Sequence, residues 1–155
     1  GYGFHTTYDA LASRGSKGKQ VLSLSEGITA GRMHKLYSES ITNIAVVTAA
    51  GRFLVFEFES LPALTKGKGN KLINIPKNDY ATGSDKVLFV VGIKANDAIK
   101  ITSGKRAMIL NEKALLGYLG SRGQRGKLLP QGFRKVSNAE VNITTTEQDS
   151  QQETS

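Results

Sequence analysis

The sequence predicts an all-β fold, and three observations support this prediction. Short runs rich in β-branched and aromatic residues recur along the chain. Turns that contain Gly, Asn or Asp separate these runs. Apolar residues seldom recur at the three- and four-residue intervals of a helix. The chain is therefore expected to form short strands joined by tight turns.

Each predicted element has a local reason. Ala50-Gly51 and Ser103-Gly104 separate two pairs of apolar runs with the spacing of a β-hairpin. Residues 112–119 could form two turns of helix, and little else in the chain could. The predicted strands are residues 44–48, 52–58, 87–91, 98–102 and 106–110.

The chain repeats itself with a period of about 50 residues, which is typical of propeller-like proteins. The predicted repeats are residues 1–50, 51–103 and 104–137. Each repeat opens a strand at a glycine and then reaches a basic, glycine-rich loop. The loops are residues 14–19, 66–71 and 122–127, and they lead into further predicted strands at 21–24, 72–75 and 128–129.

Charge points to a polyanionic partner. The 155 residues are enough for one domain, and a hydrophobic content of 39% is adequate for a core. The chain holds 21 basic and 13 acidic residues, a net charge of +8. Nucleic acid is the first candidate partner and an anionic membrane surface the second, beside the plain alternative of a soluble protein that happens to be basic.

The last 18 residues differ from the rest. Residues 138–155 hold four acidic residues and no basic one, so residues 1–137 carry 21 basic against 9 acidic residues, or +12. Because this stretch has no apolar period, it is predicted to be a disordered acidic and polar tail. The chain also opens at Gly1 without an initiator methionine, so it is expected to be a piece of something longer.

No catalytic or metal site is predicted. The sequence has no cysteine, which excludes disulfides and thiolate chemistry and fits a reducing cytoplasm. Gly18-Lys19 and Gly126-Lys127 lack the flanking glycine and the following Ser or Thr of a nucleotide-binding phosphate loop. His5 and His34 have no partner at metal-ligand spacing. No apolar run approaches the roughly 18 residues that a membrane span needs.

The loops have the chemistry of DNA phosphate binding. Glycines let the main chain approach a phosphate closely, while Lys and Arg supply charge-assisted contacts. Such contacts position a duplex without reading its sequence, and a repeated set could follow bent DNA. Flexible hinges kept soluble by charge are the alternative. The predicted DNA-binding residues are Arg14, Lys17, Lys19, Arg52, Lys66, Lys68, Lys71, Lys105, Arg106, Arg122, Arg125 and Lys127.

The chain carries distinctive motifs at residues 1–4, 50–56, 61–62, 65–76, 104–106 and 121–129. Together they resemble the C-terminal domain of the A subunit of bacterial topoisomerase IV. The likeness covers most of residues 1–137, and residues 66–76 are its most specific part. One departure concerns the related gyrase domain, whose box reads Gln-Arg-Arg-Gly-Gly-Lys-Gly. The closest stretch in this chain, Gln124-Arg125-Gly126-Lys127, falls short of that box, so gyrase-like chiral wrapping is not implied.

This resemblance implies a β-pinwheel of four-stranded antiparallel blades, of which the chain would form about three in an open arc. It implies sequence-nonspecific binding and bending of double-stranded DNA, which helps a type IIA topoisomerase choose its topological substrate. The implied protein partners are the remainder of the A subunit, together with the ATPase B subunit. No membrane and no small-molecule substrate are implied. The DNA-cleaving tyrosine, ATP and Mg would belong to other parts of the enzyme, and the location would be the bacterial cytoplasm at the nucleoid.

Two rival functions are also consistent with the sequence. Exposed strand edges could dock protein partners, with the charge serving solubility alone. A small β module could also bind RNA, although stacking on bases needs aromatic residues and the basic loops contain none.

Overall fold

A computed structural model describes residues 1–36 and 40–141 of the chain. Within these residues the fold is built from short strands, with brief helices between them. The elements are β1 (Tyr2–Gly3), α1 (Tyr8–Leu11), β2 (Asn43–Thr48), β3 (Arg52–Glu57), a 3-10 turn (Phe58–Ser60), β4 (Asn70–Lys71), α2 (Lys77–Thr82), β5 (Val87–Ile93), β6 (Ile99–Ser103), β7 (Arg106–Leu110), α3 (Glu112–Leu116), β8 (Lys127–Leu128) and β9 (Asn138–Val141).

The described strands form three antiparallel sheets. The central sheet has four strands in the order β5-β2-β3-β8. A second sheet has the order β7-β6-β9, and the two-residue strands β1 and β4 form the third. The predicted all-β fold is confirmed, and the two predicted hairpins are β2-β3 and β6-β7.

The central sheet has a hydrophobic core on both of its faces. Side chains alternate between the faces of a strand, so a strand covered on both sides reads as an unbroken apolar run. Residues 44–47 are wholly buried, as this argument requires. One cluster contains Ile44, Val46, Leu54 and Phe56 with Leu72 and Ile73; the other contains Ala45, Val47, Phe53 and Val55 with Ile99 and Ile101.

Strands pair across the predicted repeats. β1 pairs with β4, which ends the second basic loop, and β3 pairs with β8, which ends the third. Each of these loops is therefore hydrogen-bonded to the opening strand of the preceding repeat. This exchange places the loops at fixed positions on the scaffold.

Some predicted elements need correction. Residues 138–141, predicted to belong to a disordered tail, form β9, because Ile99 and Ile101 of β6 offer a buried edge on which Ala139 packs. The rest of the predicted tail, residues 142–155, lies outside the described residues. Residues 21–24 do not form a strand and contribute only a single bridge at Leu22.

The helices also differ from the prediction. α3 ends at Leu116, three residues earlier than predicted. No sequence pattern indicated α1 or α2, since each has at most six residues and buries none of them. Thr7 caps α1 by accepting from the Ala10 N–H at 3.3 Å, and α2 ends at the left-handed Gly83. No helix of the described residues has the length and apolar character needed to cross a membrane.

Candidate nucleic-acid interface

The first and second basic loops are joined through their main chains. Leu22, just after the first loop, bridges Gly67 of the second in parallel fashion. The Ser23 N–H donates to the Gly67 carbonyl at 2.9 Å, and the Gly67 N–H donates to the Val21 carbonyl at 2.9 Å. The relative positions of these loops are therefore set by backbone hydrogen bonds.

The second and third loops are joined in a similar way. The Gly123 N–H donates to the Leu72 carbonyl and the Asn74 N–H donates to the Gln124 carbonyl, each at 2.9 Å. In the first two repeats, the residues just after the basic loop are thus hydrogen-bonded to the basic loop of the next repeat. We call the joined loops, residues 14–19, 66–71 and 122–127, the basic ridge.

A left-handed glycine lies one or two residues before the end of each loop of the ridge. Gly18, Gly69 and Gly126 have φ values of 73°, 77° and 76°. A Cβ atom at Gly126 would lie 2.7 Å from the Phe53 carbonyl oxygen, and one at Gly69 would collide with the Gly3 carbonyl. Because only glycine tolerates both the conformation and the close approach, these residues let the loops seat on β1 and β3.

Two predicted DNA-binding arginines are engaged inside the protein. The half-buried Arg122 donates from Nε to the Ser60 carbonyl at 2.7 Å and from Nη1 to the Lys71 carbonyl at 2.8 Å. The half-buried Arg52 donates to the Gly126 carbonyl at 3.3 Å. The Arg122 guanidinium ties the third loop to the second, and the Arg52 guanidinium ties the third loop to β3.

Two predicted lysines hold the ends of helices. The Lys19 ammonium donates to the Ala10 carbonyl at 2.8 Å, within α1. The Lys127 ammonium donates to the carbonyl of Gly117, the residue after α3, also at 2.8 Å. Carbonyls at a helix C-terminus lack helical partners and carry partial negative charge, so a lysine there is stabilising.

The remaining cations of the ridge point to solvent to different degrees. Lys68 lies over the exposed Tyr2 ring at 4.3 Å from its centre. The half-buried Lys71 donates to Asn74 Oδ1 at 3.3 Å. Arg125 is 3.9 Å from the Asp79 carboxylate, and both side chains are more than two-fifths exposed. Within the described residues, the exposed side chains of Arg14, Lys17 and Lys66 make no hydrogen bond, ion pair or ring contact.

Lys105 and Arg106 are not brought into the ridge. They lie at the turn between β6 and β7, in a different sheet, and the Arg106 guanidinium packs against Gly132. Among the residues that the structure describes, no hydrogen bond connects this turn to the three loops. The two side chains are exposed but form a separate basic point.

Three residues in or beside the ridge were not identified from the sequence as candidate site residues. Tyr2 pairs with Lys71 across β1 and β4, while Gln124 and Asn74 line an open hollow of about 380 Å³ beside Arg125. Their residue types carry no charge signal. The tyrosine in the opening Gly1-Tyr2-Gly3-Phe4 could have been noticed as an exposed aromatic at a strand start, but its basic neighbours are 66 or more residues away in sequence.

The histidines have other environments. The His5 ring packs on Phe58 with centroids 4.5 Å apart. Burial, followed by the nearby Arg32 charge, lowers the pKa of His34 below its ordinary value, so its imidazole is neutral at pH 7. Across residues 1–36 and 40–141, no three His, Asp or Glu side chains are grouped closely enough to hold a metal ion.

Comparison with known proteins identifies related sequences. A family model described as DNA gyrase C-terminal domain, beta-propeller, matches residues 1–27 and 42–87. The A subunit of DNA topoisomerase 4 from Salmonella typhimurium is 37% identical over 142 residues, which are 91% of this chain and 18% of that protein. The same subunit from Pseudomonas aeruginosa is 35% identical over 92% of this chain and 19% of that protein. The chain thus spans about a fifth of the length of these relatives.

A solved structure resembles the fold closely. The structure of the E. coli ParC C-terminal domain superimposes with a TM-score of 0.76 at 32% sequence identity. The superposition covers 92% of this chain and 57% of that one. A crystal structure of the C-terminal domain of DNA topoisomerase IV gives a TM-score of 0.51 at 16% identity, which supports the fold alone.

Proposed function

The chain belongs to the family of C-terminal β-propeller, or pinwheel, domains found in the A subunits of topoisomerase IV and gyrase, and on that premise we propose that it binds the backbone of double-stranded DNA along the basic ridge. In this family the domain is a non-catalytic accessory part of a type IIA isomerase. The proposal concerns what this accessory part does.

The observation that carries the proposal is the joining of three basic loops into one ridge. Hydrogen bonds through Gly67 and Gly123 hold successive loops side by side. A phosphate backbone presents negative charges at regular intervals, so an ordered series of cations suits it better than one isolated patch. The surplus of basic residues over residues 1–137 supplies the long-range attraction.

The contacts available favour binding without sequence readout. No helix of eight or more residues is present in the described part of the chain to enter a major groove. Loops that contact phosphates fix the position of a duplex and leave base recognition aside. A ridge that crosses successive repeats would bend the duplex that follows it, and deformable DNA would bind best. Such bending would aid the choice of topological substrate by the whole enzyme.

The wider setting is part of the same proposal. The whole relatives are the A subunits of topoisomerase 4, so the protein partners would be the remainder of such a chain and an ATPase B subunit. ATP and Mg would act in those other regions, and this part would need no cofactor. The bacterial cytoplasm, at the nucleoid, would be the location.

The test is binding of the chain to mixed-sequence duplexes over a salt series, followed by fluorescence anisotropy. Each phosphate contact should add about 0.9 to the slope of log affinity against log salt, and two unrelated sequences should bind equally. The paired variant Lys66→Gln/Lys68→Gln should lower the slope, whereas the control Lys94→Gln/Lys113→Gln, outside the ridge, should not. A folded chain that does not bind DNA at low salt would refute the proposal.

A docking scaffold is the second candidate function, and one observation favours it. β7 forms the edge of its sheet and leaves Ile109 56% exposed. An unpaired edge with an apolar side chain can accept a strand from a partner. Binding of that kind would tolerate salt, so the same salt series separates it from DNA binding.

RNA binding is favoured by the exposed ring of Tyr2, on which a base could stack. Competition by single-stranded RNA for the bound duplex would test it.

A further inference from the structure

We infer that the cation immediately before Gly18, Gly69 or Gly126 contacts phosphate, whereas the lysine immediately after Gly18 or Gly126 holds a helix end. The phosphate row is Lys17, Lys68 and Arg125, and the helix-holding lysines are Lys19 and Lys127. The inference rests on the proposed function and divides the work among the residues of the ridge.

The structural register of the repeats supports this assignment. The Leu72 N–H donates to the Gly1 carbonyl at 2.7 Å, and the Leu129 N–H donates to the Gly51 carbonyl at 2.9 Å. Each donor lies three residues after its left-handed glycine, Gly69 or Gly126. The repeats should therefore be aligned on these glycines and not on the first basic residue of each loop. Residues at the same distance from the glycine are then structurally equivalent.

In this register Lys19 and Lys127 are equivalent, and so are their contacts. Each lies directly after the left-handed glycine, and each donates at 2.8 Å to a carbonyl at the end of the short helix of its own repeat. An ammonium bound to a helix end would have to exchange that carbonyl for a phosphate. These two lysines therefore gain less from DNA than an unengaged cation does.

The middle repeat provides an independent check of the helix-holding role. Asn70 occupies the position of Lys19 and Lys127 there, and its shorter side chain carries no charge. The corresponding turn, Phe58–Ser60, instead receives the Arg122 Nε–H on the Ser60 carbonyl at 2.7 Å. Where the lysine is lost, another cation supplies the same contact. This compensation is expected if the position serves the fold.

The side chains of the phosphate row have fewer contacts within the protein than the two helix-holding lysines have. All three are exposed. Lys17 has no side-chain partner among the described residues, Lys68 rests on a ring that leaves its N–H donors available, and Arg125 has only a long contact of 3.9 Å to exposed Asp79.

The experiment compares two sets of charge-neutral variants of the whole chain. One carries Lys17→Gln, Lys68→Gln and Arg125→Gln, and the other carries Lys19→Gln and Lys127→Gln. For each, binding to a mixed-sequence duplex is measured over a salt series, and thermal unfolding is followed by circular dichroism.

The row variant should lower the salt slope by close to three contacts, each about 0.9, with an unchanged melting temperature. The helix-end variant should keep the slope within about half a contact and melt roughly 1 to 4 °C lower per lost cap. An unchanged slope in the row variant, or an equal loss per lysine in the helix-end variant, would overturn the inference while DNA binding by the wild-type chain still stood. A wild-type chain that does not bind DNA would remove both.

Discussion

The Lys68 ammonium lies 4.3 Å from the centre of the Tyr2 ring, although the two residues belong to different repeats. Tyr2 is in β1 and Lys68 is in the loop that ends in β4, its partner strand. The ring limits the positions of the lysine without using its N–H donors. A long side chain that is already oriented loses less entropy when it meets a phosphate.

Replacement of this ring should weaken DNA binding without changing the number of charges. In Tyr2→Leu we expect about two- to fivefold lower affinity at low salt, since the released lysine must lose about 0.5 to 1 kcal/mol more side-chain entropy when it meets a phosphate. The slope of log affinity against log salt should stay the same. Anisotropy titrations check this, with Tyr2→Phe as the control that keeps the ring and the affinity. An affinity loss as large in Tyr2→Phe would show that the hydroxyl, not the ring, matters.

Asp79 should act as a competitor of DNA for Arg125. Its carboxylate is 3.9 Å from the guanidinium on a solvent-exposed surface, where such a pair contributes about 0 to 1 kcal/mol. Asp79→Asn should therefore raise DNA affinity by up to about fivefold. Glu140→Gln on β9 removes the same charge away from the ridge and should raise affinity less. Equal gains in the two variants would show that only net charge had changed.

Arg122 should contribute more to the stability of the fold than its positive charge contributes to DNA binding. Its guanidinium donates to the carbonyls of Ser60 and Lys71 from a half-buried position. Loss of these bonds in Arg122→Gln should lower the free energy of unfolding by about 1 to 3 kcal/mol. Urea titration measures this, and exposed Lys113→Gln serves as the charge-matched control with little expected change. Stability equal to that of the control would contradict the tying role of Arg122.

Three glycines of the ridge should respond to alanine in a graded way. Gly15 has open space and no left-handed φ, so Gly15→Ala should be nearly neutral. Gly18 also has open space but a φ of 73°, so Gly18→Ala should cost about 1 to 2 kcal/mol. Gly126 adds a Cβ contact of 2.7 Å with the Phe53 carbonyl oxygen and should cost more. Urea midpoints in any other order would contradict this account of the loops.

Much of the fold was predictable because its signals are local. The apolar runs that became β2, β3, β5, β6 and β7 are continuous in sequence, and their turns carry glycine. β8, which overlaps the predicted strand at 128–129, has only a two-residue apolar signal, and β9 was not predicted at all. Each becomes a strand because a distant, already formed edge accepts it, at Arg52–Phe53 for β8 and at Ile99–Thr102 for β9. Pairing partners that far apart in sequence leave no local pattern.

The features of the candidate site also divide into those with a local sequence signal and those set by distant contacts. The sequence by itself determined that three loops would be basic, rich in glycine and repeated, because composition and spacing are properties of the chain. Only the tertiary structure decided which of the cations remain free. The carbonyls that engage Lys19, Arg122 and Lys127 belong to helix or turn ends that fold against the loops. A cation's availability depends on the acceptors around it, and long-range strand exchange between repeats sets those acceptors.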